Sequence, residues 1–138
     1  MDLIPYLDFY GEANEAIDFY KKVFNGEIVY IQHYSDAPDM DVKEDMNKVL
    51  HAQFKFGDNI LYIADVFSDK PKQVGSRIAL TVNFDDPDEQ RRVYDLLVED
   101  GVIEMVLENQ FWGSIFGSVT DKFGIPWNLD CVVHKDFN

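Results

Sequence analysis

His51 and Gln53 stand two residues apart in the segment Val49–Phe56, and in an extended strand that spacing puts both side chains on one face. An imidazole titrates near neutrality, so His51 can accept a hydrogen bond, donate one or move a proton. The plainer reading is a satisfied histidine on a partly covered strand. Arg77 can pair with a carboxylate, phosphate or phosphonate on a ligand. It can equally pair within the chain, because 26 acidic residues face only 12 basic ones. Asn128 can orient a ligand or bond a neighbouring backbone group. Phe111, Trp112, Phe116 and Trp127 suit core or interface packing first. Trp112, which follows a polar stretch, is the best of them for the wall of a binding site.

Other reactive groups are weaker candidates. His33 and His134 lack partners at ligand spacing and read as surface residues. Asp36, Asp39, Asp41, Glu44 and Asp45 crowd one segment, but without EF-hand spacing or a central glycine they read as a solvated loop. Cys131 sits in the run Leu129-Asp130-Cys131-Val132-Val133 and reads as a small buried hydrophobe. A lone cysteine forms no intramolecular disulfide, which suits a reducing, cytoplasmic location. The opening Met1-Asp2-Leu3-Ile4-Pro5 has no basic leader pattern, and no apolar run reaches the length of a membrane span. A formal net charge of −14 argues against nucleic acid and against anionic membrane surfaces as partners. It serves solubility, and it would also favour a cationic ligand.

The elements that must position these groups follow from periodicity. Leu3 to Tyr10 predicts a strand, with Pro5 at its start or edge. Ala13, Ala16, Ile17, Tyr20, Val23 and Phe24 recur at helical spacing, and Asn25-Gly26 ends that helix with Gly26 free to turn left-handed. Glu27 to Tyr34 predicts a strand. Ser35 to Lys48 predicts a loop with room for one helical turn. Val49–Phe56, a Gly57-Asp58-Asn59 turn and a strand from Asn59 to Val66 form a hairpin. After a linker at 68–75 the order returns. Arg77 to Phe84 is a strand, and Asp86, Pro87 and Glu89 open a helix as N-cap, first position and capping box. Val93, Leu96 and Leu97 are its buried face, and Gly101 closes it. Strands follow from Val102 to Leu107, Gly113 to Asp121 and Ile125 to Val133.

Strand, helix, three strands therefore occurs twice, in halves 1–67 and 76–133 of a single domain 1–138. Asn25-Gly26-Glu27-Ile28-Val29 is echoed by Asp100-Gly101-Val102-Ile103. Neither half closes a core by itself, so the expected fold is α+β: two βαβββ modules forming curved mixed sheets around a cleft, each sheet with a helix pair on its outer face.

Several motifs carry a resemblance. Pro5-Tyr6-Leu7-Asp8-Phe9-Tyr10-Gly11-Glu12-Ala13 with Ala16-Ile17-Asp18-Phe19-Tyr20 resembles the opening of the PhnB-like branch of the glyoxalase/bleomycin-resistance (vicinal oxygen chelate) superfamily. His51-Ala52 with Gly57-Asp58 resembles its third strand and hairpin. Phe111-Trp112-Gly113, Phe116-Gly117, Asp121, Phe123-Gly124 and Trp127-Asn128-Leu129 resemble its C-terminal signature. The branch carries a ubiquinone-methyltransferase label. A methyl donor such as S-adenosylmethionine calls for a glycine-rich strand-to-helix turn in a doubly wound sheet, and the glycines here stand at helix ends and hairpin turns instead.

Metal-dependent members of the superfamily hold a divalent ion with four side chains, two per half. The resemblance places those positions at Pro5, His51, Arg77 and Asn128. Proline offers no donor, arginine stays protonated, and asparagine is a weak oxygen ligand, so no tightly bound metal and no cofactor are expected. The resemblance also turns His51, Arg77 and Asn128 towards the cleft and implies a homodimer; Gln53 joins them by sharing the face of His51, and Trp112 as a candidate cleft wall. The expected function is the binding of a small organic molecule in a metal-free cleft. The alternative is an enzyme of lyase, isomerase or dioxygenase type with His51 as base and Arg77 as electrophile. A structural dimer without a ligand is the third.

Overall fold

The computed structural model describes residues 1–36, 46–66 and 77–133. The linker 68–75, His134, and Asp39, Asp41, Glu44 and Asp45 lie outside the described residues. The chain divides into two compact units, Met1–Lys72 and Gln73–Asn138.

The first unit holds β1 (Tyr6–Phe9), α1 (Ala13–Phe24), β2 (Glu27–His33), β3 (Val49–Phe56) and β4 (Asn59–Asp65), in the sheet order β1-β4-β3-β2. The second holds β5 (Leu80–Phe84), α2 (Pro87–Leu97), β6 (Val102–Asn109), β7 (Ser114–Thr120) and β8 (Pro126–Val132), in the order β5-β8-β7-β6. In each, the first strand runs parallel to the last and the other pairs are antiparallel. The α+β class and the two βαβββ modules stand as expected. Among the described residues each sheet carries one helix, not a pair.

Alternation and helical spacing explain the packing. In β1 every second residue is buried, so Leu7 and Phe9 join Phe54, Leu61 and Ile63 beneath the apolar stripe Ala13, Ala16, Ile17, Tyr20 and Val23 of α1. In the second unit Val93, Leu97, Leu129, Cys131 and Trp127 are buried, and Cys131 behaves as the small hydrophobe expected. Burial of each large apolar side chain contributes roughly 1.5–3 kcal/mol over exposure. Leu96 is only half-buried. Tyr94 and Gln90 take the inner positions instead, with the Gln90 amide donating to the Ile115 carbonyl at 2.9 Å.

Several boundaries differ from expectation for local reasons. β2 stops at His33, and Tyr34–Asp36 forms a single 3-10 turn in which Asp36 accepts from the His33 amide at 2.9 Å. β5 begins at Leu80, which leaves Arg77 ahead of the strand and exposed. Asp86 caps α2 by accepting from the Asp88 amide, with Pro87 following it. Glu89 does not complete a capping box, because Arg92 takes its carboxylate in a two-pronged bond. The left-handed residue after α1 is Asn25 (φ 53°), not Gly26. Gly26 answers a different need: a Cβ there would fall on the Phe54 ring and 2.8 Å from the Lys55 carbonyl. The second unit repeats the device, with Asp100 left-handed (φ 58°) and Gly101 pressed against the Thr120 and Leu97 carbonyls.

One buried carboxylate per unit ties the strands together. Asp65, 1% exposed at the end of β4, accepts from the amides of Gly11 (2.8 Å), Ala13 (3.0 Å) and Val49 (3.0 Å). It thereby fastens the β1–α1 turn and the start of β3 to β4. Asp121 accepts from the amides of Phe123 and Ile125 and from the Trp127 indole (2.9, 3.0 and 2.9 Å), which closes the β7–β8 hairpin.

Candidate functional site

Strand parity assembles the candidate site in the first unit. Ala52 and Phe54 of β3 face α1, so His51 and Gln53 point to the opposite face. The strand register extends that face across all four strands in two rows. In one row Tyr6 lies beside Tyr62, Tyr62 beside Gln53, and Gln53 beside Tyr30. In the next, Asp8 lies beside Ala64 and Gln32 beside His51.

His51 is the centre of this cluster. The Tyr6 hydroxyl lies 2.8 Å from its Nδ1, and the Gln53 amide nitrogen lies 3.4 Å from its Nε2. The Tyr62 ring meets the imidazole edge-to-face at 4.8 Å between centroids, and the rings of Tyr6 and Tyr30 stand 5.6 and 6.1 Å away. With Gln53 donating to Nε2, the Nδ1–H donates to the Tyr6 oxygen and the Tyr6 O–H is left to donate elsewhere. In the other tautomer Tyr6 donates to Nδ1. Either way the pair can pass one proton along a short path. Burial, and then the nearby Asp8 charge and the Tyr34 and Tyr62 phenols, raise the Tyr6 pKa, so Tyr6 works as a neutral phenol. Burial also raises the Asp8 carboxyl.

The second unit offers a different face at equivalent points. Thr81, Asn128, Ser118 and Phe116 occupy the register positions that Tyr6, Tyr62, Gln53 and His51 hold in the first. Asn128 donates weakly to the Thr81 hydroxyl at 3.4 Å. Trp112 is part of an aromatic group with Phe111 (5.1 Å, edge-on) and Phe116 (6.3 Å), in the turn before β7. It is 38% exposed while Phe111 is 88% exposed, so this group is not core. Trp127, by contrast, is fully buried.

The structure thus brings His51 and Gln53 together, as the spacing predicts. Asn128 joins Thr81, Trp112 joins Phe111 and Phe116, and Arg77 is an exposed residue preceding β5. Sequence reasoning missed Tyr6, Asp8, Tyr30 and Tyr62. Parity alone puts Tyr6 and Asp8 on one face of β1. That β1 lies against β4, within reach of His51, requires the sheet order.

The four metal positions suggested by resemblance do not make a donor set. Pro5 has only its carbonyl, which already accepts from the Tyr62 amide at 2.9 Å. Arg77 carries a positive charge. Both ring nitrogens of His51 have polar neighbours within the chain. Among the described residues no three His, Cys, Asp or Glu side chains gather as a metal site.

Comparison with known proteins agrees with the fold and widens the context. The family described as 3-demethylubiquinone-9 3-methyltransferase matches residues 1–130. Protein YjdN of Escherichia coli (strain K12) is 30% identical over 142 residues, covering 96% of each chain. The Bacillus cereus structure titled as a putative 3-demethylubiquinone-9 3-methyltransferase, PhnB protein, superposes with a TM-score of 0.82 at 29% identity, over 95% of this chain and 99% of that one. The fosfomycin resistance protein FosX of Listeria monocytogenes shares the fold alone, with a TM-score of 0.68 at 11% identity over 100% and 98% of the two chains.

The methyltransferase name implies a methyl-donor site, and the strand-to-helix turns do not fit one. The β1–α1 turn has a single glycine, Gly11, and its amide and that of Ala13 are taken by the chain's own Asp65. The β5–α2 turn is Asp85-Asp86, which has no glycine and whose Asp86 carboxylate already takes the Asp88 amide. The matched span, the close relative and the repeated strand order together make this chain a member of the PhnB-like family that bears the methyltransferase name, on the glyoxalase/bleomycin-resistance fold.

Proposed function

We propose that this protein binds a small organic molecule without a resident metal, using the face of the first sheet centred on His51. The observation that carries the reading is the cluster itself. A histidine, a glutamine and three tyrosines from four strands share one face, with Tyr6 and Tyr30 about half exposed (49% and 48%). Such a surface joins stacking area to a few directional polar groups, which is the make-up of ligand sites. His51 and Gln53 supply hydrogen bonds to the ligand. Asn128 and Trp112 remain candidate ligand contacts, and Arg77 a candidate partner for an acidic ligand group.

A thermal-shift screen of small molecules tests the reading, because a ligand of the native state raises apparent stability. A hit whose shift disappears in His51→Ala is the expected result. Hits that persist unchanged in His51→Ala and Gln53→Ala would place the site elsewhere. Elemental analysis of protein purified without chelator or affinity-tag metal tests the metal-free part. One equivalent of bound Zn, Ni or Fe would overturn it.

The 2.8 Å contact between Tyr6 and His51 favours a second reading, proton-transfer catalysis of lyase, isomerase or dioxygenase type with His51 as base. Under that reading any turnover found is lost in His51→Ala and reduced in Tyr6→Phe, and unchanged turnover in His51→Ala removes it.

A cytoplasmic homodimer belongs to the same proposal. β2 and β6 each lie at one edge of their sheets and expose Val29, Ile31, Val102, Ile103, Met105 and Val106, which would favour pairing with another copy. Sedimentation at micromolar concentration should give twice the chain mass. No helix among the described residues is long and apolar enough to cross a membrane.

A further inference from the structure

Asp8 is a carboxylate among tyrosines, with no cation paired to it among the described residues. It stands two residues from Tyr6 on the same face of β1 and pairs in register with Ala64, a small side chain that adds no bulk beside it. It makes no hydrogen bond or ion pair with any described residue. Lys48, just ahead of β3, donates to the Gly11 carbonyl at 2.8 Å. Tyr6 and Tyr62 stand edge-to-face at 5.6 Å and offer ring faces and hydroxyls on the same surface.

We propose that this face recognises an organic cation, a quaternary or protonated amine of a small molecule, with its positive nitrogen held by the Asp8 carboxylate and the Tyr6 and Tyr62 rings. The ring quadrupole attracts a cation that approaches within ~6 Å of the centroid. A single carboxylate without a competing partner among the described residues adds a full opposite charge at the same place. The net charge of −14 raises the local concentration of cations and disfavours anionic ligands. Asp8 is exposed and so open to a ligand, and the desolvation that still lifts its carboxyl above the usual range is offset by a bound cation. The proposal rests on the reading that the His51 face is the ligand surface, and it deepens that reading by naming the chemical class.

The test is a titration of the full 15N-labelled chain, at constant ionic strength, with three probes that share a benzene ring: benzyltrimethylammonium, benzyl alcohol and phenylphosphonate. The cation should shift the amide resonances of Tyr6, Asp8, His51 and Tyr62 and bind about tenfold more tightly than the alcohol. Asp8→Asn should reduce its affinity by about tenfold. Tyr62→Leu should weaken it while Tyr62→Phe, which keeps the ring, retains it. Asp8 has no partner to lose among the described residues, so Asp8→Asn carries the test even if Tyr62→Leu does not fold. Benzyl alcohol or phenylphosphonate shifting these residues in preference to the cation would overturn the cation class and leave the ligand surface standing. Shifts confined to other residues, or no shifts with any probe, would overturn both. Unchanged cation affinity in Asp8→Asn would overturn the role of Asp8 and with it the proposal.

Discussion

Removing the Asp65 carboxylate should loosen the first unit severely, because one side chain answers three backbone donors from two separate segments. In Asp65→Ala the amides of Gly11, Ala13 and Val49 lose their acceptor. A hydrogen bond to a charged group is worth about 1.5–3 kcal/mol, and a buried donor left without a partner costs about 1–3 kcal/mol. The three do not add fully, since the Gly11 amide is only partly buried and can reach water. The expected loss is therefore about 3–5 kcal/mol, a large share of the ~5–15 kcal/mol that holds an ordinary domain. Asp65→Asn should fall between the wild type and Asp65→Ala. Its oxygen can still serve Gly11 and Ala13, while its NH2 group meets the Val49 N–H donor to donor. Urea unfolding should be followed by far-UV circular dichroism. Both tryptophans, Trp112 and Trp127, lie in the second unit, so fluorescence alone would overlook a loss confined to the first. A destabilisation below about 1 kcal/mol in Asp65→Ala would refute the reasoning, because it would mean that the three amides find other partners at little cost.

Asp121→Ala should act on the second unit in the same way, and it carries its own reporter: the Trp127 indole loses its acceptor, so its emission should change along with a stability loss of about 2–4 kcal/mol. Gly26→Ala should cost about 1–3 kcal/mol from crowding against Phe54 and the Lys55 carbonyl, measured by the same urea titration; a neutral or stabilising result would show that the helix end relaxes freely. Asp8→Asn should make the protein more stable at neutral pH. Burial raises the folded-state carboxyl, so the folded protein binds that proton more readily than the unfolded chain does. The wild-type penalty is complete above the raised folded value, fades as pH falls through it and vanishes below the unfolded aspartate value. The two proteins should therefore converge in acid when thermal unfolding is measured as a function of pH, and a gap that widens in acid would contradict the assignment.

Much of the fold was legible because it is written in short-range pattern. The spacing of Ala13, Ala16, Ile17, Tyr20, Val23 and Phe24 gave the limits of α1, and Asp86-Pro87 gave the start of α2. Val49–Phe56 was legible as β3 for the same reason, and with it the shared face of His51 and Gln53. Errors arose where a specific contact or an element boundary outweighed the local signal. Glu89 had the spacing for a capping box, but the Arg92 guanidinium one turn on offered a charged partner. Gly26 looked like a left-handed residue, yet it is the close approach of Phe54 on another strand that requires a glycine there. Arg77 looked like a strand residue, and β5 starts only at Leu80.

The candidate site divides along the same line. Sequence by itself determined the repeated βαβββ order, the acidic charge and the placement of His51 and Gln53 on one strand face, since each depends on residue type and on periods of two or 3.6 residues. Only the tertiary structure decided that Tyr6 and Asp8 of β1 lie beside Tyr62 and Ala64 of β4, and that Tyr6 bonds His51 across 45 residues of chain. It also set Arg77 ahead of its strand and drew Trp112 into a group with Phe111 and Phe116. The physical reason is that a strand's own pattern specifies which way its side chains point but not which strand becomes its neighbour. Parallel pairing of β1 with β4 is settled by the burial of α1 over the sheet and by the Asp65 carboxylate that fastens the two strands' ends.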